Sequence, residues 1–142
     1  VEVIKGAKDS SGDWENLKAY IQLTKDLDFS VLSGNDSLIL PALKEGGVGG
    51  IAGCSNVYPK VLSSIYELFQ EGKLDEAQAA QDSIASFRAV FKYGNPNTVV
   101  KTAVAMLGYN VGKCRAPFNQ LPQEGLEALE KVLQENKDKG MC

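Results

Sequence analysis

Histidine is absent from this 142-residue sequence, and cysteine occurs only three times. Without histidine, the chain cannot form a Ser-His-Asp or Cys-His catalytic group, and it lacks the commonest ligand of transition metals. The cysteines, Cys54, Cys114 and Cys142, are odd in number and widely spaced, which fits neither a disulfide framework nor a zinc site. We therefore expect free thiols and no bound metal, and acid–base chemistry has to use lysine, tyrosine or carboxylate side chains.

Basic stripes and long apolar runs are missing as well. The net charge is −3, the isoelectric point is near 5.0, and the lysines are scattered among acidic residues, so nucleic acid is not expected as a partner. No apolar run approaches the roughly 20 residues that span a bilayer, and no signal-peptide pattern opens the chain. We expect a globular, cytoplasmic protein with no membrane partner.

Strand-like and helix-like segments alternate three times in the first half of the chain. Strands are predicted from short apolar segments at about 1–8, 29–33 and 49–53. A helical pattern follows each strand. Asp13 caps the first helix, Asp36 caps the second, and the third starts near Pro59. Pro41 lies inside the second helical pattern and predicts a kink or a late helix start there.

The second half of the chain shows helical patterns and no strand signal. These patterns cover about 74–93, 97–107 and 122–137. Asn95 and Pro96 predict a turn followed by the first residue of a helix. We therefore predict an α/β protein with three βα units in residues 1–72 and a C-terminal helical region in residues 73–142.

Strands separated by helices pair in parallel, and parallel sheets are covered on both faces. A sheet of three strands achieves this poorly by itself. Three βα units followed by helices are what the end of an eight-stranded βα barrel would look like, with strands six to eight closing against strand one. Because such a barrel needs roughly 250 residues, we expect this chain to be part of a larger protein.

The first strand ends on a lysine beside a compact polar turn. Alternation along the strand puts Ile4, Gly6 and Lys8 on one face, and Gly6 removes side-chain bulk next to Lys8. An amine with space in front of it can form an imine with a carbonyl compound. By position alone, a solvated lysine at a strand end is the simpler interpretation of Lys8.

Five segments stand out along the chain: IKGAKDSSGD (4–13), LSGND (32–36), GGVGGIAGCSNVYP (46–59), NPNTVVKTA (95–103) and RAPFNQL (115–121). Together they resemble the C-terminal half of the dihydrodipicolinate synthase and N-acetylneuraminate lyase superfamily. Each segment alone is a weak signal, but their common order and spacing over nearly the whole chain make a strong one.

The resemblance implies strands six to eight of a TIM (β/α)8 barrel and a class I aldolase mechanism that needs no cofactor. Lys8 matches the lysine that condenses with the ketone of a 2-oxo acid. Burial in a barrel mouth disfavours the ammonium form and so makes the amine a better nucleophile. The resulting iminium withdraws electrons from the adjacent carbon–carbon bond.

Four further residues are candidates for substrate binding. Gly50 and Ile51 match the eighth-strand segment, where exposed backbone would border the lysine and the bound oxo acid. Tight closure of the barrel is an equally good reason for glycine there. Gly34 and Asn35 follow the second strand and would contact the distal end of the substrate.

The function expected from this resemblance is that of a Schiff-base carbon–carbon lyase or synthase acting on pyruvate, or a pyruvate-derived 2-oxo acid, and an aldehyde. Dihydrodipicolinate synthase-like and 2-keto-3-deoxy sugar-acid aldolase-like activities both fit, and the KDSSG form leans slightly towards these two branches. A hydro-lyase (sugar-acid dehydratase) of the same superfamily is one alternative. A non-catalytic half-barrel partner subunit is another.

Two parts of the family's site match nothing in this chain. The carboxylate-binding threonine or serine turn and the proton-relay tyrosine come from strands upstream of the lysine strand. We therefore expect activity only when the N-terminal half of the same barrel is present. A fragment of a full enzyme is the favoured interpretation, ahead of a deliberately shortened half-barrel or a proteolytic product. The resemblance also implies a homo-oligomer, either a tetramer or a dimer.

Overall fold

The computed structural model describes residues 3–118 and 120–141. The order of elements alternates strand and helix through β3 and is helical afterwards, as predicted. The elements are β1 (Gly6–Asp9), α1 (Trp14–Thr24), β2 (Ser30–Ser33), α2 (Ile39–Glu45), β3 (Gly49–Gly50), α3 (Pro59–Gln70), α4 (Leu74–Ser83), α5 (Ala85–Arg88), α6 (Pro96–Met106) and α7 (Gln123–Asp138). Single 3-10 turns cover Asp36–Leu38, Gly53–Asn56 and Ala89–Tyr93.

The three strands form one parallel sheet in the order β1-β2-β3. Lys8 lies opposite Leu32, which lies opposite Gly49, so these residues form one row across the sheet. The strands are shorter than the sequence indicated: β1 begins at Gly6, and β3 ends at Gly50, before the turn that starts at Gly53. Val1 and Glu2, at the start of the first predicted strand, lie outside the described residues.

The described residues divide into two compact units, and the first contains 3–52 and 62–82. Its core lies between one face of β2 and the helices α1 and α2. The buried members are Leu17, Ile21, Val31 and Ala42, with Trp14, Phe29 and Leu38 packed against them. Leu17 and Ile21 are four residues apart and therefore share one face of α1. The predicted boundary between the three βα units and the helical region, after residue 72, stays a prediction.

Helix α2 starts late, as Pro41 predicted, because the preceding residues form a 3-10 turn and Pro41 falls in the first α-helical turn. The side chain of Gln81, in α4, forms two hydrogen bonds with the backbone at this helix start. Its Oε1 accepts from the Leu40 amide at 3.0 Å, and its Nε2 donates to the Asp36 carbonyl at 2.8 Å. A buried glutamine therefore supplies the partner that an amide in a first helical turn lacks.

The second unit contains residues 53–61, 83–118 and 120–141. Tyr58 and Phe87, both fully buried, pack edge to face with ring centroids 5.3 Å apart. Asn136 of α7 donates to the Tyr58 hydroxyl at 2.9 Å. Asn95 caps α6 by accepting from the Asn97 amide, and Pro96 opens the helix, as the sequence indicated.

The continuous helix expected over 74–93 is wrong. Helix α4 ends at Ser83, α5 covers four residues, and a 3-10 turn completes the segment. Gln81 is buried in the first unit, whereas Ile84 and Phe87 are buried in the second. Burial in two units therefore interrupts a segment whose local pattern is helical throughout. No helix in the described part of the chain has the length and apolar character needed to cross a bilayer.

Candidate active site at the carboxyl edge of the sheet

All five candidate site residues lie at one edge of the sheet. Lys8 is the penultimate residue of β1, Gly34 and Asn35 directly follow β2, and Gly50 and Ile51 end and follow β3. Because the strands are parallel, their carboxyl ends meet at the same edge. The three strands therefore bring together residues that are more than forty positions apart in the sequence.

The two faces of the sheet differ in what covers them. Val31 points into the core formed with α1 and α2, so Leu32, the next residue, points to the opposite face. Lys8 is the register partner of Leu32 and shares that face. The Lys8 side chain is exposed, and its amine has no hydrogen-bond or ion-pair partner among residues 3–118 and 120–141. Lys8 is therefore presented on the face that these helices leave open.

The turn after Lys8 is held by its own polar side chains. The Asp9 carboxylate accepts from the Ser11 amide at 3.0 Å and from the Ser11 hydroxyl at 2.9 Å. The Ser11 hydroxyl oxygen in turn accepts from the Asp13 amide, and Asp13 caps α1 through the Glu15 amide. These bonds direct the Asp9 carboxylate into the turn.

Gly34 and Asn35 hold the loop after β2 against the loop after β1. The Gly34 amide donates to the Asp9 carbonyl at 2.7 Å, and a Cβ at Gly34 would collide with the Ser10 hydroxyl. Asn35 Oδ1 accepts from both the amide and the hydroxyl of Ser37. Asn35 is therefore the cap of the following 3-10 turn. The assignment of this cap to Asp36 is wrong by one residue.

Gly50 has a packing reason to be glycine. It pairs with Ser33 and so faces the helical side of the sheet, where a Cβ would lie 2.8 Å from Ile39 Cγ1. The backbone around Ile51 was expected to be open to a ligand. Its amide, however, donates to the Ser33 carbonyl at 2.8 Å and is therefore already engaged. The Ile51 side chain, by contrast, is 53% exposed.

Gly49 is the glycine that shares a row with Lys8, whereas the sequence motif pointed to Gly50. It is the register partner of Leu32, and a Cβ there would lie 3.8 Å from Leu32 Cδ2. Its φ of 153° is a conformation that residues with side chains rarely adopt. The alternation of side chains along a strand could have indicated Gly49, because residues 49 and 51 point to the same face when the strand continues. Leu32 was missed for the same reason.

Gly6 also has a reason in strand packing. A Cβ there would lie 2.5 Å from the Ser30 carbonyl oxygen, so a larger residue would push β1 away from β2.

Within the described residues, no group of three Cys, Asp or Glu side chains is arranged to hold a metal ion. Cys54 is buried and Cys114 is half-buried, no disulfide joins these two described cysteines, and Cys142 lies outside the described residues.

Comparison with known proteins connects this edge to a family. The model of the dihydrodipicolinate synthetase family matches residues 1–136. The 4-hydroxy-tetrahydrodipicolinate synthase of Methanospirillum hungatei is 39% identical over 131 residues, which are 92% of this chain and 45% of that protein. The chain thus spans about half the length of the curated relatives it matches.

Solved structures give the same result for the fold. A dihydrodipicolinate synthase from Bacillus anthracis superimposes with a TM-score of 0.85 at 33% identity, covering 94% of this chain and 46% of that one. A variant of the 2-keto-3-deoxygluconate aldolase of Sulfolobus solfataricus gives a TM-score of 0.82 at 26% identity, covering 95% and 46%. The predicted fold, the C-terminal half of a (β/α)8 barrel with a helical segment after it, is confirmed.

Proposed function

The chain belongs to the dihydrodipicolinate synthetase family, and on that premise we propose that it carries the imine-forming lysine, Lys8, of a pyruvate-dependent lyase. One observation carries the proposal. Lys8 stands at the carboxyl edge of a parallel sheet, exposed on the face away from α1 and α2, with its amine unengaged by described residues. The carboxyl face of a βα barrel is where enzymes of this fold hold their active sites.

The chemistry proposed for Lys8 is addition followed by loss of water. Its neutral amine adds to the keto carbon of the 2-oxo acid, and the carbinolamine expels its hydroxyl group as water to leave an iminium. The iminium accepts the electron pair of a bond on the carbon next to the former ketone. That carbon can therefore lose either a proton or an aldehyde. The enamine formed in this way attacks an aldehyde in the reverse direction, which makes condensation and cleavage one mechanism.

The substrate class follows from the relatives. They include a 4-hydroxy-tetrahydrodipicolinate synthase and a 2-keto-3-deoxygluconate aldolase, and structures of the aldolase contain D-KDPG or L-2-keto-3-deoxy-galactonate. The shared feature is a 2-oxo acid with a reactive carbon next to the ketone. We assign pyruvate or a pyruvate-derived 2-oxo acid, together with an aldehyde, to this site.

The residues around Lys8 divide the remaining work. The exposed Ile51 residue supplies an apolar surface for the bound oxo acid, and Gly49 adds no side chain beyond Leu32 in the row that Lys8 begins. Gly34 and Asn35 border the distal end of the substrate. Gly50 acts through packing, because it allows Ile39 of α2 to approach the back of the sheet.

The N-terminal half of the same barrel completes the site in this proposal. Two observations support it: the chain matches about half of its relatives, and the face that carries Lys8 and Leu32 has no helix of the described core on it. The missing half would supply the groups that bind the substrate carboxylate and relay protons. Homo-oligomerisation of the complete enzyme is part of the same proposal.

Trapping of the imine tests this function. The complete protein is incubated with pyruvate and sodium borohydride, and the reduced adduct is located by peptide mapping. We expect a pyruvyl adduct on Lys8, none in Lys8→Met, and an unchanged adduct in the matched control Lys5→Met. Lys5 is exposed and paired with Asp28 at 2.7 Å, on the alternate face of the strand. An adduct that persists in Lys8→Met, or none in the complete wild-type protein, would overturn the assignment.

A further inference from the structure

The second unit contains a cavity of about 470 Å³ between α6, the loop that follows it and α7. All of its lining residues belong to this unit, from Thr98 to Leu126. Its size lies in the range of small-molecule sites, which is roughly 300–1,000 Å³. We propose that this cavity binds a small carboxylate with an apolar body, as a site separate from the imine chemistry of Lys8.

Charge is the first argument for an anion. Lys101 and Lys113 line the cavity, and no aspartate or glutamate among the described residues does, although acidic residues outnumber basic ones in the whole chain by 18 to 15. Within residues 3–118 and 120–141, neither lysine forms an ion pair. Two cations that share a cavity without a counter-ion make it favourable for a negatively charged ligand.

Lys101 is the residue best placed to receive that ligand. Its side chain leaves the middle of α6, and the residue is half-buried. One of its three N–H groups donates to the Lys113 carbonyl at 3.0 Å. This bond holds the ammonium at the cavity and leaves further donors for a carboxylate.

Apolar side chains also line the cavity, which favours an amphipathic ligand over a bare inorganic anion. Leu121 is buried, Leu126 is half-buried, and Phe118 is exposed at the rim. A carboxylate at Lys101 would leave a hydrocarbon body to cover these residues. Inorganic phosphate would engage the lysines and leave the apolar wall in water, so its affinity should be lower.

Cys114 provides a reporter inside the cavity. Its thiol is half-buried, lines the cavity and is directed at the Asn97 carbonyl at 3.6 Å. A ligand that occupies the cavity would therefore shield this sulfur from a reagent in solution. Cys54, by comparison, is fully buried elsewhere in the unit and does not line the cavity.

The experiment measures the rate at which neutral iodoacetamide alkylates Cys114 in the complete protein, followed by peptide mapping. The probe is 4-methylpentanoate, its matched neutral control is 4-methylpentanamide, and N-acetylcysteine in the same tube reports reagent consumption. At ten times the dissociation constant, we expect the acid to slow alkylation about tenfold, because about a tenth of the sites then stay open. The amide and inorganic phosphate should protect much less at the same concentration.

Variants assign the effect to Lys101. Protection should disappear in Lys101→Met, remain in Lys101→Arg, and be unchanged in Lys131→Met, which removes an exposed lysine of α7 outside the cavity. Equal protection by the acid and the amide in the wild-type protein, or no protection by either, would overturn the proposal even if a variant failed to fold. Protection retained in Lys101→Met would overturn it as well. None of these results depends on whether Lys8 forms an imine.

Discussion

The α-carbon of Gly50 lies against the side chain of Ile39, so closely that a Cβ at Gly50 would be 2.8 Å from Ile39 Cγ1. Gly50 ends β3, and Ile39 is the first, buried residue of α2. Their contact allows α2 to pack tightly on the sheet directly behind the edge that carries Lys8. Glycine at position 50 is therefore required by a helix–sheet contact, which is independent of any substrate.

We expect Gly50→Ala to lower the free energy of unfolding by about 1–3 kcal/mol, because the added methyl group would collide with the buried side chain of Ile39. The same substitution should cost clearly less in an Ile39→Ala background, where the obstructing atom is gone. Urea unfolding of the four proteins in this cycle measures the effect. Gly53→Ala is the control, since a Cβ there meets nothing within 4 Å. Additive costs in the cycle would contradict the steric explanation.

Asn35 allows a structural role to be separated from substrate binding. Asn35→Ala removes the acceptor used by Ser37 and should cost about 1 kcal/mol of stability, as loss of a cap does. Asn35→Asp keeps the acceptor and should retain stability. If Asn35 also borders the distal end of the substrate, Asn35→Asp raises KM for the aldehyde or the long 2-oxo acid, while borohydride trapping of pyruvate is unchanged. An unchanged KM would restrict Asn35 to capping.

Thr98 and Thr102 form a matched pair for testing a buried hydroxyl. Thr98 Oγ1 is buried and, among the described residues, has no hydrogen-bond partner, whereas Thr102 Oγ1 donates to the Thr98 carbonyl at 2.7 Å. Thr98→Val should raise the free energy of unfolding by about 1 kcal/mol, because it removes an unsatisfied polar group. Thr102→Val should lower it by a similar amount. Thermal or urea unfolding without ligand measures both, and equal signs would contradict the hydrogen-bond assignment.

The local features of this chain could be predicted because they depend on residues close together in the sequence. Asp13 caps α1 four residues after β1, and Asn95 with Pro96 starts α6, both as the residue types indicated. The alternation of apolar segments predicted the order of strands and helices. Five motifs in sequence predicted half of a βα barrel, which the comparisons confirm.

Features that depend on contact between distant residues could not be predicted. The segment 74–93 has a helical pattern throughout, but burial of Gln81 in one unit and Phe87 in the other interrupts it. The cap of the turn after β2 was missed for a different, local reason. It is Asn35 and not Asp36, and residue type does not decide between them because Asn and Asp are both good caps.

The sequence by itself determined that a lysine lies near the end of the first strand and that glycines surround Ile51. Only the tertiary structure decided which glycine shares the lysine's face, because that depends on the register of three strands. Lys8, Leu32 and Gly49 form one row, and Gly50 is turned towards α2. Since side chains alternate along a strand, a shift of one residue moves a position to the opposite face. That register is set by hydrogen bonds between segments about twenty residues apart, which a local pattern does not encode.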